Sequence, residues 1–208
     1  VDRQEYFAYL PEQDMRNTKI RATPSWLKAL VLLAVVAWLA GCAQPKATLV
    51  VTVGGLGFSQ MYDLRTTIKE QCPNVDVVSA GAWDAYKEDI AAIARENPRQ
   101  HIILVGHSFG CAAIDQAATK LPKVDLAVFI DPSWDDFTLA PTIRDYLWFK
   151  RSDIGIEREA TIVGAWRSKV IKGGHNDLPH SQPLIAELIQ TINKIDRSNR
   201  KNAIAKGS

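Results

Sequence analysis

The feature that most constrains this chain is a run near its middle, His101-Ile102-Ile103-Leu104-Val105-Gly106-His107-Ser108-Phe109-Gly110. The consecutive apolar residues 102–105 read as a strand buried on both faces, the kind found inside a parallel sheet. Gly106-x-Ser108-x-Gly110 follows at once, and Cys111-Ala112-Ala113-Ile114-Asp115-Gln116-Ala117-Ala118 then reads as an alanine-rich helix. Strand, G-x-S-x-G and helix in this order predict a sharp turn that lifts a serine above the end of the strand. A serine hydroxyl is a weak nucleophile at neutral pH and needs a neighbouring base to take its proton. The flanking glycines keep the turn clear of side chains, and Ser108 is expected in a strained backbone conformation. A plain strand-to-helix turn with a capping serine would use the same residues. The buried strand in front of the motif favours the nucleophile.

The rest of the chain repeats the alternation of strand and helix. Residues 48–53 read as a strand that ends in Gly54-Gly55-Leu56-Gly57-Phe58. No Gly-Lys-Ser/Thr and no G-x-G-x-x-G accompany this loop, which argues against a nucleotide site. Ser59 is placed to cap a helix over 60–71, with Met61, Leu64 and Ile68 on one face. A strand over 75–78, a helix over 84–95 stopped by Asn97-Pro98, and a strand over 124–130 ending in Asp131-Pro132 follow. Residues 143–150 fit strand or helix, 159–166 a strand, 172–180 a loop and 183–195 an amphipathic helix. This order predicts an α/β fold of three layers, with a mostly parallel central sheet and helices on both faces. Right-handed crossovers bring the C-terminal ends of the strands to one edge, where residues distant in sequence can meet.

Hydrophobic residues make up 47% of the 208 and charged residues 23%, the balance of one ordinary globular domain. A formal net charge of +2 with no plainly basic face argues against nucleic acid as a partner. The N-terminal segment differs in kind. Arg16, Lys19, Arg21 and Lys28 precede an apolar run over 29–40, which ends in Gly41-Cys42. A basic start, an apolar stretch and small residues at its end form a secretory signal pattern. The run is shorter than the roughly 20 apolar residues of a bilayer-spanning helix. Leu39-Ala40-Gly41-Cys42 resembles the bacterial lipobox, which implies cleavage before Cys42 and acylation of that cysteine. The domain would then be held on a membrane of the bacterial cell envelope. Ala43 resembles the sorting context of outer-membrane lipoproteins, and Met15 is the natural start of such a leader. The expected layout is an extension and signal peptide over 1–41, a lipidated tether over 42–47, one catalytic domain over 48–195 and a basic, solvated tail over 196–208. Export permits a disulfide between Cys72 and Cys111, but the position of Cys111 just after the turn favours a free buried thiol. No C-x-x-C or His/Cys cluster points to a metal.

Val105-Gly106-His107-Ser108-Phe109-Gly110 resembles the elbow of the α/β-hydrolase superfamily, in particular its small lipase, esterase and thioesterase members, over about residues 48–192. The resemblance implies a serine hydrolase with minimal or no lid that cleaves carboxylic esters or thioesters through an acyl-enzyme at Ser108. A small-molecule or lipid acyl ester would be its partner, and no cofactor is expected. The backbone N–H groups of Leu56 and Phe109 would form the oxyanion hole. The superfamily's order Ser…Asp…His points to a late histidine as base. His175, preceded by Gly173-Gly174, leads over His180. His101 lies at the wrong end of its strand, and His107 is expected to point away from the nucleophile. Asp131, after the strand that follows the nucleophile's, resembles the acid of one lipase subgroup. Asp153, one strand later, is the alternative and matches the commoner arrangement. Two other functions use the same scaffold: a non-catalytic envelope-binding protein, and an acyltransferase with an acceptor other than water. Nothing in the sequence sets the oligomeric state.

Overall fold

Period-two alternation within the apolar runs decides how this chain layers. Leu49, Val51, Val53, Ile102 and Leu104 enter one apolar cluster, while Val50, Ile103 and Val105 enter another. Successive strand side chains point to opposite faces, so runs apolar at every position demand cover on both sides. The computed structural model describes residues 46–56, 59–82, 87–97, 100–133, 139–152 and 165–207, together with Leu30. The chain divides into two compact units, Val1–Gln44 and Pro45–Ser208, and all strands and helices named below belong to the second. Apart from Leu30 the leader lies outside the described residues, as do Cys42 and Asp153. Among the described residues no helix is long and apolar enough to cross a membrane.

Six strands, β1 (Thr48–Gly54), β2 (Val75–Ala82), β3 (His101–His107), β4 (Leu126–Ile130), β5 (Asp145–Arg151) and β6 (Ala165–Ile171), form one sheet in the order β2-β1-β3-β4-β5-β6. All five pairings are parallel. Helices α1 (Ser59–Gln71), α2 (Lys87–Glu96), α3 (Gly110–Ala118) and α4 (Gln182–Gly207) cover the faces. Met61, Leu64 and Ile68 of α1 share a cluster with Leu184, Leu188 and Ile192 of α4. Ile90 of α2 and Ile114 of α3 belong to the cluster on the other face. Each large aliphatic side chain buried in this way contributes about 1.5–3 kcal/mol. The expected three-layer α/β architecture is therefore the observed one.

Chain order reverses beside β1: β2 lies on one side of it and β3 on the other. The loops leaving β1 and β3 therefore start from adjacent strand ends, where open α/β sheets form their ligand crevices.

Several element boundaries differ from the sequence expectation: β2 runs to Ala82 rather than 78, and β4 starts at Leu126 rather than 124. The ambiguous 143–150 segment is strand β5. The last strand is β6 at Ala165–Ile171, later than the expected 159–166. Its Arg-Ser-Lys centre hides the pattern because β6 is an edge strand, where exposed cations are tolerated. Arg167 and Lys169 reach Glu187 of α4 at 3.2 and 2.5 Å. The expected solvated tail over 196–208 is instead largely helix, since α4 runs on to Gly207. Asp196 and Asn199 are almost wholly buried there. Thr48 Oγ1 of β1 donates to Asp196 Oδ1 at 3.0 Å, and Arg200 pairs with Asp196 Oδ2 at 3.0 Å. A polar anchor of this kind leaves no trace in apolar periodicity.

Candidate active site

The turn after β3 is built around close backbone approach. A Cβ on Gly110 would lie 2.4 Å from the Val53 carbonyl oxygen, and one on Gly106 would lie 2.6 Å from the Gly110 carbonyl oxygen. These glycines let α3 start hard against β1 and β3. Ser108, between them, has φ +56° and is 4% exposed, with its N–H donating to the Ile130 carbonyl at 3.0 Å. The one other non-glycine residue with positive φ among the described residues is Asp131, at +42°. Such conformations cost about 1–3 kcal/mol each and gather at functional sites. Here they end the adjacent strands β3 and β4, whose register pairs His107 with Ile130.

Asp131 is joined to the late glycine loop. His175 Nδ1 and Asp131 Oδ2 stand 2.5 Å apart, and Arg151 Nε lies 2.5 Å from the same oxygen. Gly173 has φ +141°, and Asp177 holds the loop by accepting from the Gly174 N–H at 3.0 Å. A Cβ on Gly174 would come within 2.9 Å of that carboxylate. Asp177 is thus a brace for the histidine loop. His180 is more exposed and faces Asp63 at 3.7 Å, and His101 pairs with Asp125 at 2.9 Å at the opposite end of β3.

The Ser108 hydroxyl has a partner that sequence did not suggest, Ser133, at 2.7 Å between the two Oγ atoms. A hydroxyl donates once and accepts twice, so Ser108 can accept from Ser133 while giving its own proton elsewhere. Gly55 packs directly on the nucleophile candidate, since a Cβ there would lie 2.6 Å from Ser108 Cβ and 3.0 Å from its Oγ. Leu56, the expected oxyanion donor on that loop, is the next residue and has an exposed side chain. Phe109, the other expected donor, is the N-cap of α3 in right-handed helical geometry. Its N–H therefore lies at the positive end of the helix.

His107 does not point away from the site. Its ring is buried, and Nε2 lies 2.9 Å from the His175 carbonyl oxygen, with the two imidazoles 4.7 Å apart. A carbonyl can only accept, so Nε2 carries the hydrogen and donates. Burial pushes the His107 pKa down to about 4. The folded value thus lies below the 6.5 of an unfolded histidine. The unfolded chain takes up this proton first, so the stability that neutral His107 preserves is whole above pH 6.5 and is lost as pH falls towards 4. The span amounts to about 3 kcal/mol. Urea unfolding at pH 7 and pH 5 should show a larger loss in the wild type than in His107→Gln. Identical losses would contradict the assignment.

Cys72 and Cys111 are both buried and free, so they form no disulfide. Cys111 Sγ is directed at the Gly106 carbonyl at 3.2 Å, and burial holds its thiol well above the usual range. Among the described residues no His/Cys/Asp/Glu group could hold a metal ion.

No protein-family model and no curated protein matches the sequence. Solved structures do resemble it. A gene product from Listeria innocua aligns with a TM-score of 0.50 and 10% identity, covering 69% of this chain and 92% of its own. A candidate hydrolase of the alpha/beta superfamily from Xanthomonas campestris pv. campestris gives 0.49 and 14%, over 71% of this chain and 99% of its own. An extracellular alpha/beta-hydrolase from a Paenibacillus species gives 0.45 and 10%, over 69% and 97%. At such identities likeness concerns fold alone. The parallel sheet and the strand–turn–helix around Ser108 give this chain a three-layer α/β fold with a parallel central sheet.

Proposed function

We propose that the chain is a serine hydrolase that cleaves carboxylic esters or thioesters through an acyl-enzyme. The observation that supports this best is the Asp131 Oδ2–His175 Nδ1 contact of 2.5 Å, made at the sheet edge where the strained Ser108 turn stands. In this reading Ser108 Oγ attacks the substrate carbonyl carbon while His175 Nε2 takes its proton. The N–H groups of Leu56 and Phe109 receive the oxyanion, and each such donor is worth about 3–4 kcal/mol at the transition state. His175 then protonates the leaving alcohol or thiol as its bond to carbon breaks. A water molecule, giving its proton to His175, attacks the acyl-serine, and His175 returns that proton to Ser108 Oγ as its bond to the acyl carbon breaks and the acid leaves. Asp131 holds the imidazole in the tautomer with hydrogen on Nδ1 and stabilises the imidazolium. Ser108 must donate to His175 in this sequence, with Ser133 turned to donate to Ser108. Hydrogen bonds of this kind often tighten only when substrate is bound.

Nitrophenyl esters from acetate to palmitate test the reading and give its chain-length preference. Hydrolysis is expected. No turnover and no covalent labelling would point to a binding protein on the same scaffold.

The leader adds location to this reading: acylated Cys42 would hold the domain on the envelope membrane. The resemblance of Leu39-Ala40-Gly41-Cys42 to a lipobox supports it. Cys42→Ser should release the protein into the soluble fraction and abolish uptake of labelled palmitate. A Cys42→Ser variant that stays with membranes, beside a wild type that takes up no label, would exclude the anchor.

A further inference from the structure

The carboxylate that holds His175 is shared with a cation. Arg151 Nε and His175 Nδ1 both lie 2.5 Å from Asp131 Oδ2, and the Arg151 and Asp131 side chains are only 20% and 12% exposed. Strand register carries Arg151 there. Ile130 of β4 pairs with Phe149 of β5, and the Asp131 N–H donates to the Phe149 carbonyl at 2.9 Å. Two residues beyond Phe149, the alternation of the strand returns a side chain to the same face. With φ +42° at Asp131, its carboxylate turns back towards that position.

We propose that Arg151 is a positioning residue for the Asp131–His175 pair, one that locks the carboxylate in place and, by its charge, sets how strongly that carboxylate acts on the imidazole. This rests on the hydrolase reading above and deepens it. A carboxylate alone favours the imidazolium form of its partner. A guanidinium on the same oxygen offsets part of that negative field. The cation weakens imidazolium stabilisation and in exchange holds the acid fixed. The other charged or titratable groups around the pair cannot easily substitute for it. His107, from β3, is kept neutral by burial. Asp177 is engaged by the Gly174 N–H within the histidine's own loop. His180, from the short 3₁₀ turn Leu178–His180, faces Asp63 of α1.

The test compares wild type, Arg151→Met and Arg151→Lys in the full chain by two readouts. The first is the pH profile of kcat/KM. Arg151→Met should move the acidic limb about one pH unit upward, with kcat reduced more than KM is changed, and Arg151→Lys should return the limb towards its original place. The second readout is the NMR titration of the His175 ring, which needs no turnover and should move in the same direction. Arg151→Gln serves in the same role should Arg151→Met fail to fold. A uniform loss of rate with the limb and the His175 titration unmoved would overturn the proposal, because a merely structural arginine behaves that way. A shifted titration in a protein that hydrolyses no ester would support the coupling and instead overturn the hydrolase reading.

Discussion

Ser108→Ala should lower kcat for ester hydrolysis by about 10⁴–10⁶, the range found when a triad serine is removed. The loss is this large because the oxygen that forms the covalent bond is gone, while the oxyanion donors and the binding surface remain. What remains supplies a residual acceleration of roughly 10³–10⁴ over water. The fold should survive the change. Alanine at φ +56° carries much the same backbone strain as serine, and the partner left behind, Ser133, is only half-buried. Thermal unfolding should therefore stay close to that of the wild type, which separates lost chemistry from lost structure. A folded Ser108→Ala protein that keeps wild-type turnover would remove Ser108 from the mechanism.

Asp131→Asn is expected to cost about 10⁴ in kcat. Asparagine has nearly the same shape and is among the residues that accept positive φ, so the turn at +42° should persist. Its neutral amide cannot stabilise the imidazolium, and with its NH₂ towards Nδ1 it selects the wrong tautomer. It also leaves Arg151 beside an uncharged group in a largely buried place, which adds a stability cost of about 1–3 kcal/mol. Asp153→Asn should leave kcat within a few-fold of wild type. The reverse pattern, with Asp153→Asn inactive and Asp131→Asn normal, would give the role of acid to Asp153.

What sequence could reveal here depended on how local each signal was. The elbow was legible because strand, glycines, serine and helix lie within one short segment whose apolar pattern has few other solutions. Sheet class followed from the alternation of elements, since parallel strands need crossovers and crossovers have one hand. The relation of Asp131 to the glycine loop was legible as a possibility, because strand ends gather at one edge. The interactions around that edge were not. Ser133 meets Ser108 only because β3 and β4 are neighbours in register, and Arg151 meets Asp131 only because β5 ends beside β4. His107 turns towards the carbonyl of His175, a partner 68 residues away. The C-terminal extension of α4 hid behind its charge, because its anchor is the buried Asp196 paired with Thr48 rather than an apolar stripe.

The most direct measurement of the central claim is mass spectrometry of the wild-type protein after treatment with a fluorophosphonate, beside Ser108→Ala and His175→Ala. The account predicts one phosphonyl adduct on the peptide that carries Ser108, none in Ser108→Ala, and labelling slowed by orders of magnitude in His175→Ala. No adduct on the folded wild-type protein, or an adduct on another residue that persists in Ser108→Ala, would contradict it.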